Sequence, residues 1–179
     1  VDEINGYLEK LMMFSDETSY DFTTMAQSLG QMVTSGGDID HLIPMIEGIA
    51  NATSFAGKGA AEFSRSIYNL NQSYGQGFLT LMDWRSVELS GVASQQLKET
   101  FIDVGKALGT LDKNGRTAKG TLVDIGNFST TLADKWASRE VMEQAFGRFA
   151  QVTEAAYKLV QNGMADTYSE AYAMLDGAF

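Results

Sequence analysis

The chain has 179 residues, 44% of them hydrophobic and 11% aromatic, which excludes a disordered polymer and supplies enough apolar surface for one domain with a real core. It contains no cysteine, so disulfides and cysteine-based zinc sites are excluded, and its formal charge of −10 disfavours non-specific binding to nucleic acid or an anionic membrane. No apolar run approaches the roughly 20 residues of a membrane span and no basic-then-apolar leader stands at the front, so a soluble piece is expected.

The charge is unevenly placed. Residues 1 to 56 hold nine acids and a single base, Lys10, whereas the remainder holds fourteen acids and twelve bases. The acidic front third is expected to be a solvated face, with docking of a basic partner as the sharper alternative. Because the chain starts at Val1, inside an apparent helix, it is expected to be a fragment of a longer protein.

The first helix is expected to present Ile4, Leu8, Leu11 and Met12 on one face and to end near Phe14 and Ser15. A second starts after the Thr18 to Asp21 region, runs its stripe through Phe22, Met25, Ala26, Leu29, Met32 and Val33, and stops at Gly36-Gly37. Methionine at this spacing reads as core filler. Asp38 is the expected N-cap of a third helix carrying Ile39, Leu42, Ile43, Ile46, Ile49 and Ala50, with Pro44 cheap only if it falls in the first turn. His41, the single histidine, has no partner spacing for a metal or a nucleophile and is expected to be a partly exposed helix residue.

A central fourth helix is expected from Ala56, Ala60, Phe63, Ile67, Leu70 and Tyr74, broken by Gly75 and Gly77. Its start, Gly57-Lys58-Gly59, is a near miss for a dinucleotide fingerprint, because Glu62 stands where the third glycine belongs and no strand leads in. Leu81 to Leu89 form a short helix around Trp84, expected to anchor against the core, with Asp83 and Arg85 on different sides. Gly91 closes it, and Ser94 to Gly109 form a further helix with Leu97, Phe101, Val104 and Leu108 on its face.

Residues 109 to 120, GTLDKNGRTAKG, mix glycines and cations but lack the spacing of a phosphate-binding loop. Asn114-Gly115 predicts a β-hairpin turn, with short strands around Leu111 and around Thr121 to Val123. Beyond it, Phe128, Leu132 and Trp136 recur every four residues, as on one helical face. Ser138 is the expected N-cap of the next helix, with Glu140 in its first turn and Met142, Ala145, Phe149, Val152 and Ala156 as its stripe. That helix runs past Tyr157, Leu159 and Val160 to Asn162-Gly163, and a short last one holds Tyr168, Ser169, Tyr172 and Leu175.

The expected fold is therefore mainly α: one compact domain over residues 1–179, about six to eight helices with one small β-hairpin near 110–123. No catalytic, cofactor-binding or metal-binding residue is assigned. The carboxylate pairs Asp83 with Glu88 and Glu140 with Glu143 could be imagined as acid and base, but carboxylates at helical spacing are usually solvated charges.

Two stretches resemble the tape measure domain of tail tape measure proteins from long-tailed bacteriophages and prophages. Residues 69 to 92, NLNQSYGQGFLTLMDWRSVELSGV, are similar to that family's element in which a helix turns on glycine into a small acidic-aromatic helix. Residues 125 to 150, IGNFSTTLADKWASREVMEQAFGRFA, are similar to its phenylalanine–leucine–Lys-Trp segment followed by a capped helix. The likeness extends more loosely over residues 20 to 160. The chain departs from the pattern at Ser129, where a basic residue is common, and at Ala137, where a larger aliphatic is common.

The resemblance implies a non-enzymatic structural protein without a cofactor, whose length sets the length of the tail. It implies tail tube proteins, tail-tip proteins and tail assembly chaperones as partners, with a homo-oligomer as a possible state. The implied location is the lumen of the virion tail, and the bacterial cytoplasm during assembly. The alternative is a helical adaptor that docks a partner through its acidic N-terminal third.

Overall fold

The computed structural model describes residues 5–9, 11, 12, 15 and 20–175. From residue 20 onward the described chain forms eight α-helices and no strand. They are α1 (Phe22–Thr34), α2 (Ile39–Phe55), α3 (Ala60–Gln76), α4 (Leu81–Leu89), α5 (Gln95–Leu108), α6 (Phe128–Thr131), α7 (Arg139–Gln161) and α8 (Tyr168–Leu175), with a 3₁₀ turn at Leu132–Asp134 after α6. Residues 5–9, 11 and 12 are also helical; Leu11 is fully buried, whereas Met12 is half exposed. Ile4, Phe14 and Thr18 lie outside the described residues, as do the side chains of Tyr168, Ser169 and Tyr172.

The helix starts follow from local chemistry. Asp21, Asp38, Thr80, Ser94 and Ser138 each accept a backbone N–H of the first turn, which would otherwise be unpaired. At α3 the cap is Gly59, and the carboxylate of Glu62 takes the Gly59 N–H instead, at 3.1 Å. Ala56 belongs to the end of α2 as its C-cap, so the seam expected to begin there begins at Ala60. Gly75 lies inside α3; the stop falls at Gly77, whose φ of 97° is the left-handed conformation a side chain disfavours.

Pro44 is the sixth residue of α2, past the first turn, yet the helix continues to Phe55. The most extensive helix pairing is between α2 and α7. Met45, Ile46, Ile49 and Ala50 on one side and Met142, Ala145, Phe146 and Phe149 on the other are all buried in a core that α1, α3, α4 and α5 complete. A chain of aromatic rings runs through it. Trp84 lies 4.8 Å from Phe128 and 5.9 Å from Phe101, Phe101 lies 5.4 Å from Phe146, and Phe128 meets Trp136 edge-on at 5.4 Å between centroids. Within this cluster the indole N–H of Trp84 is buried and meets no acceptor among the described residues.

Two expectations are corrected. The β-hairpin near 110–123 does not form: an isolated antiparallel bridge pairs Arg116 with Leu122, and it brackets a turn at Thr117–Gly120 rather than Asn114-Gly115. The Asp112 carboxylate accepts the N–H groups of both Asn114 and Arg116 at 2.9 Å, so a side chain satisfies donors that a ladder would have used. These backbone N–H groups, that of Arg116 foremost, hold the Asp112 carboxyl below its ordinary range. Nor is there one helix from Phe128 to Trp136. The turn ends at Lys135, the described non-glycine residue with positive φ, at 58°, and Trp136 folds back onto Phe128.

Candidate functional site

The two stretches that stood out in the sequence meet in space. Leu79 N–H donates to the Ala137 carbonyl at 2.8 Å and Arg139 N–H to the Gly77 carbonyl at 3.0 Å, around an antiparallel bridge between Phe78 and Ser138. Below this seam Trp84 of the first stretch packs against Phe128 of the second, the two rings tilted by 46°. The indole N–H of Trp136 donates to the buried Thr131 hydroxyl at 3.1 Å, so its polar atom is satisfied without leaving the core.

Arg139, the first residue of α7, ties three helices at this seam. Its Nε donates to the Tyr74 carbonyl and its Nη1 to the Ser35 carbonyl, both at 2.9 Å, so one guanidinium covers carbonyls at the ends of α3 and α1. The guanidinium also lies over the Tyr74 ring, 4.6 Å from its centroid. The Tyr74 hydroxyl donates to Glu143 at 2.5 Å, and the other Glu143 oxygen lies 3.7 Å from Nδ1 of the exposed His41. Burial, then the Glu143 carboxylate beside it, pushes the Tyr74 hydroxyl above its ordinary pKa.

Next to this cluster a cleft of about 440 Å³ opens between α2 and α7. Asp40, His41, Glu140, Glu143 and Arg148 line it, over a floor of Pro44 and Gly147. Its carboxylates outnumber its cations. Among the described residues no group of three or more histidine, cysteine, aspartate or glutamate side chains is placed to hold a metal ion, and no helix is long and apolar enough to cross a membrane.

The imagined acid–base pairs fare differently. Asp83 is buried and accepts hydroxyl hydrogen bonds from Ser73 at 2.6 Å and Thr80 at 2.9 Å, while Glu88 is exposed. Asp83 thus braces the α3–α4 corner. Glu140 is exposed, and Glu143 is the acceptor for Tyr74. Arg139 and the Tyr74–Glu143 contact were missed in the sequence, because partners 65 and 69 residues apart leave no periodic trace.

No family model, no curated protein and no solved structure matches this chain.

Proposed function

We propose that this chain is a non-enzymatic helical domain of a phage tail tape measure protein, contributing to tail-length determination, tail assembly and genome delivery. The observation that supports this reading is the seam just described. Residues 69 to 92 and 125 to 150, which carry the resemblance, form one tertiary unit in which Trp84, Phe128 and Trp136 pack together. A pair of motifs whose signature residues build a shared core is what a structural domain requires, since their constraint is packing. The proposed partners are tube, tip and chaperone proteins of the tail.

The test is genetic and morphological. In-frame removal of helical segments from the parent gene, outside this domain, is expected to shorten the tails seen by electron microscopy in proportion to the residues removed. Unchanged tail length, or a parent gene no longer than this chain, would overturn the reading.

A second reading, an adaptor for a basic partner, is favoured by the cleft, where Asp40 of the acidic front third joins Glu140 and Glu143. Its binding should weaken steeply between low and physiological salt and again in Glu140→Gln. Binding indifferent to salt would remove it.

A further inference from the structure

We propose that the groove between α1 and α3 is a binding site for a neutral saccharide. From α1 it is lined by Thr24, Gln27, Ser28 and Gln31. From α3 come Ser64, Ile67, Tyr68 and Asn71, at the same spacing of three, one and three residues. Positions three, four and seven apart share a helix face, so the two sets form opposed rows along the groove. Ser28 and Ile67, 6% and 1% exposed, are its floor, whereas Gln27, Gln31 and Tyr68 are exposed at its rim. The groove holds about 250 Å³, just below the roughly 300 Å³ at which pockets for drug-sized ligands begin, which suits one or two sugar rings.

The chemistry of the lining selects the ligand. Seven of these eight side chains are hydroxyls or carboxamides, groups that both donate and accept, as the hydroxyls of a sugar do. An apolar ligand would strip them of water and return no hydrogen bond, which costs free energy at each. An anion or a cation would meet no counter-charge, for among the described residues the lining carries none. Two contacts set the rows in advance. The Thr24 hydroxyl donates to the Asp21 carboxylate at 2.8 Å, which turns its oxygen lone pairs toward acceptor duty. The Asn71 amide donates to the Gln31 carbonyl across the groove, so the Asn71 carbonyl and the Gln31 NH₂ stand side by side as acceptor and donor. Side chains already ordered lose less freedom when a ligand arrives. The Tyr68 ring, 61% exposed at the rim, adds an apolar surface on which the C–H face of a pyranose can pack.

Amide NMR titration of the whole chain tests this, with maltotriose and triacetylchitotriose as the probes. At least one is expected to shift the signals of residues 24–31 and 64–71 with a dissociation constant of about 1 mM, unchanged by added salt because the lining offers no ion pair to screen. Tyr68→Ala should weaken that binding about two- to tenfold, the worth of one aromatic contact, and Gln27→Ala to a similar extent. Both side chains are exposed, so the melting midpoint should stay where it is. Shifts from neither sugar, shifts confined to other residues, or affinity untouched by Tyr68→Ala would overturn the proposal. So would an uncharged, capped Gly-Ser-Asn-Gly peptide that binds these residues more tightly than either sugar.

Discussion

Gly48 of α2 lies directly on the backbone of Phe146 in α7: a Cβ built on Gly48 would fall well inside van der Waals contact with the Phe146 carbonyl. Both helices are held at this distance by buried side chains on either side, so neither backbone can step away cheaply. Gly48→Ala is therefore expected to destabilise the domain by about 3 kcal/mol, at the severe end of overpacking. Gly147→Ala is the control. There the nearest atom to an added Cβ is 3.8 Å away, on Pro44, and removing a helix-interior glycine should stabilise by up to about 1 kcal/mol. Urea denaturation of both variants checks the pair, and equal midpoints would refute the close approach.

Trp136 is 2% exposed, edge-on to Phe128 and hydrogen-bonded to Thr131. Trp136→Ala should cost about 3–5 kcal/mol. An unchanged melting temperature would mean that the ring is a surface contact rather than the anchor of the seam.

Asp83 is 4% exposed and receives two hydroxyl groups, so its removal leaves buried donors without an acceptor. Asp83→Ala should cost about 2–3 kcal/mol, more than the roughly 1 kcal/mol of an ordinary N-cap loss. Chemical denaturation of Asp83→Ala beside Ser94→Ala separates the two, and equal losses would show that Asp83 acts only on the first turn of α4.

The Tyr74 hydroxyl has its pKa raised in the folded state, so the fold favours its protonated form. The contribution is fully present below the unfolded value of about 10 and is lost as pH rises through the higher folded value. Melting temperature should consequently fall above about pH 10 in the native chain, and Tyr74→Phe should flatten that alkaline limb while lowering stability at neutral pH. Identical alkaline limbs in the two proteins would show that Tyr74 does not contribute to it.

Much of the architecture was legible as sequence because it is local. Asp38 and Ser138 cap their helices as expected, and Ser94 begins α5, since a side-chain oxygen reaches an N–H only two or three residues away. The stripes Met25, Leu29, Met32 and Met142, Ala145, Phe149 are buried because a 3.6-residue period places them on one face. Val33, Met12 and Tyr157 continue such stripes but are about half exposed, for they sit at the stripe's edge, where only the neighbouring helix determines burial.

By itself the sequence determined the helical class, the caps at Asp38 and Ser138, most helix bounds and the anchoring of Trp84 in the core, all consequences of contacts within about one turn and of apolar periodicity. The tertiary structure alone decided that Asn114-Gly115 would not seed a hairpin, that Lys135 would turn left-handed so Trp136 could reach Phe128, and that Arg139 would close the ends of α1 and α3. Each of these depends on groups brought together across the fold, where satisfying a carbonyl or filling a gap in the core outweighs the local preference of the chain.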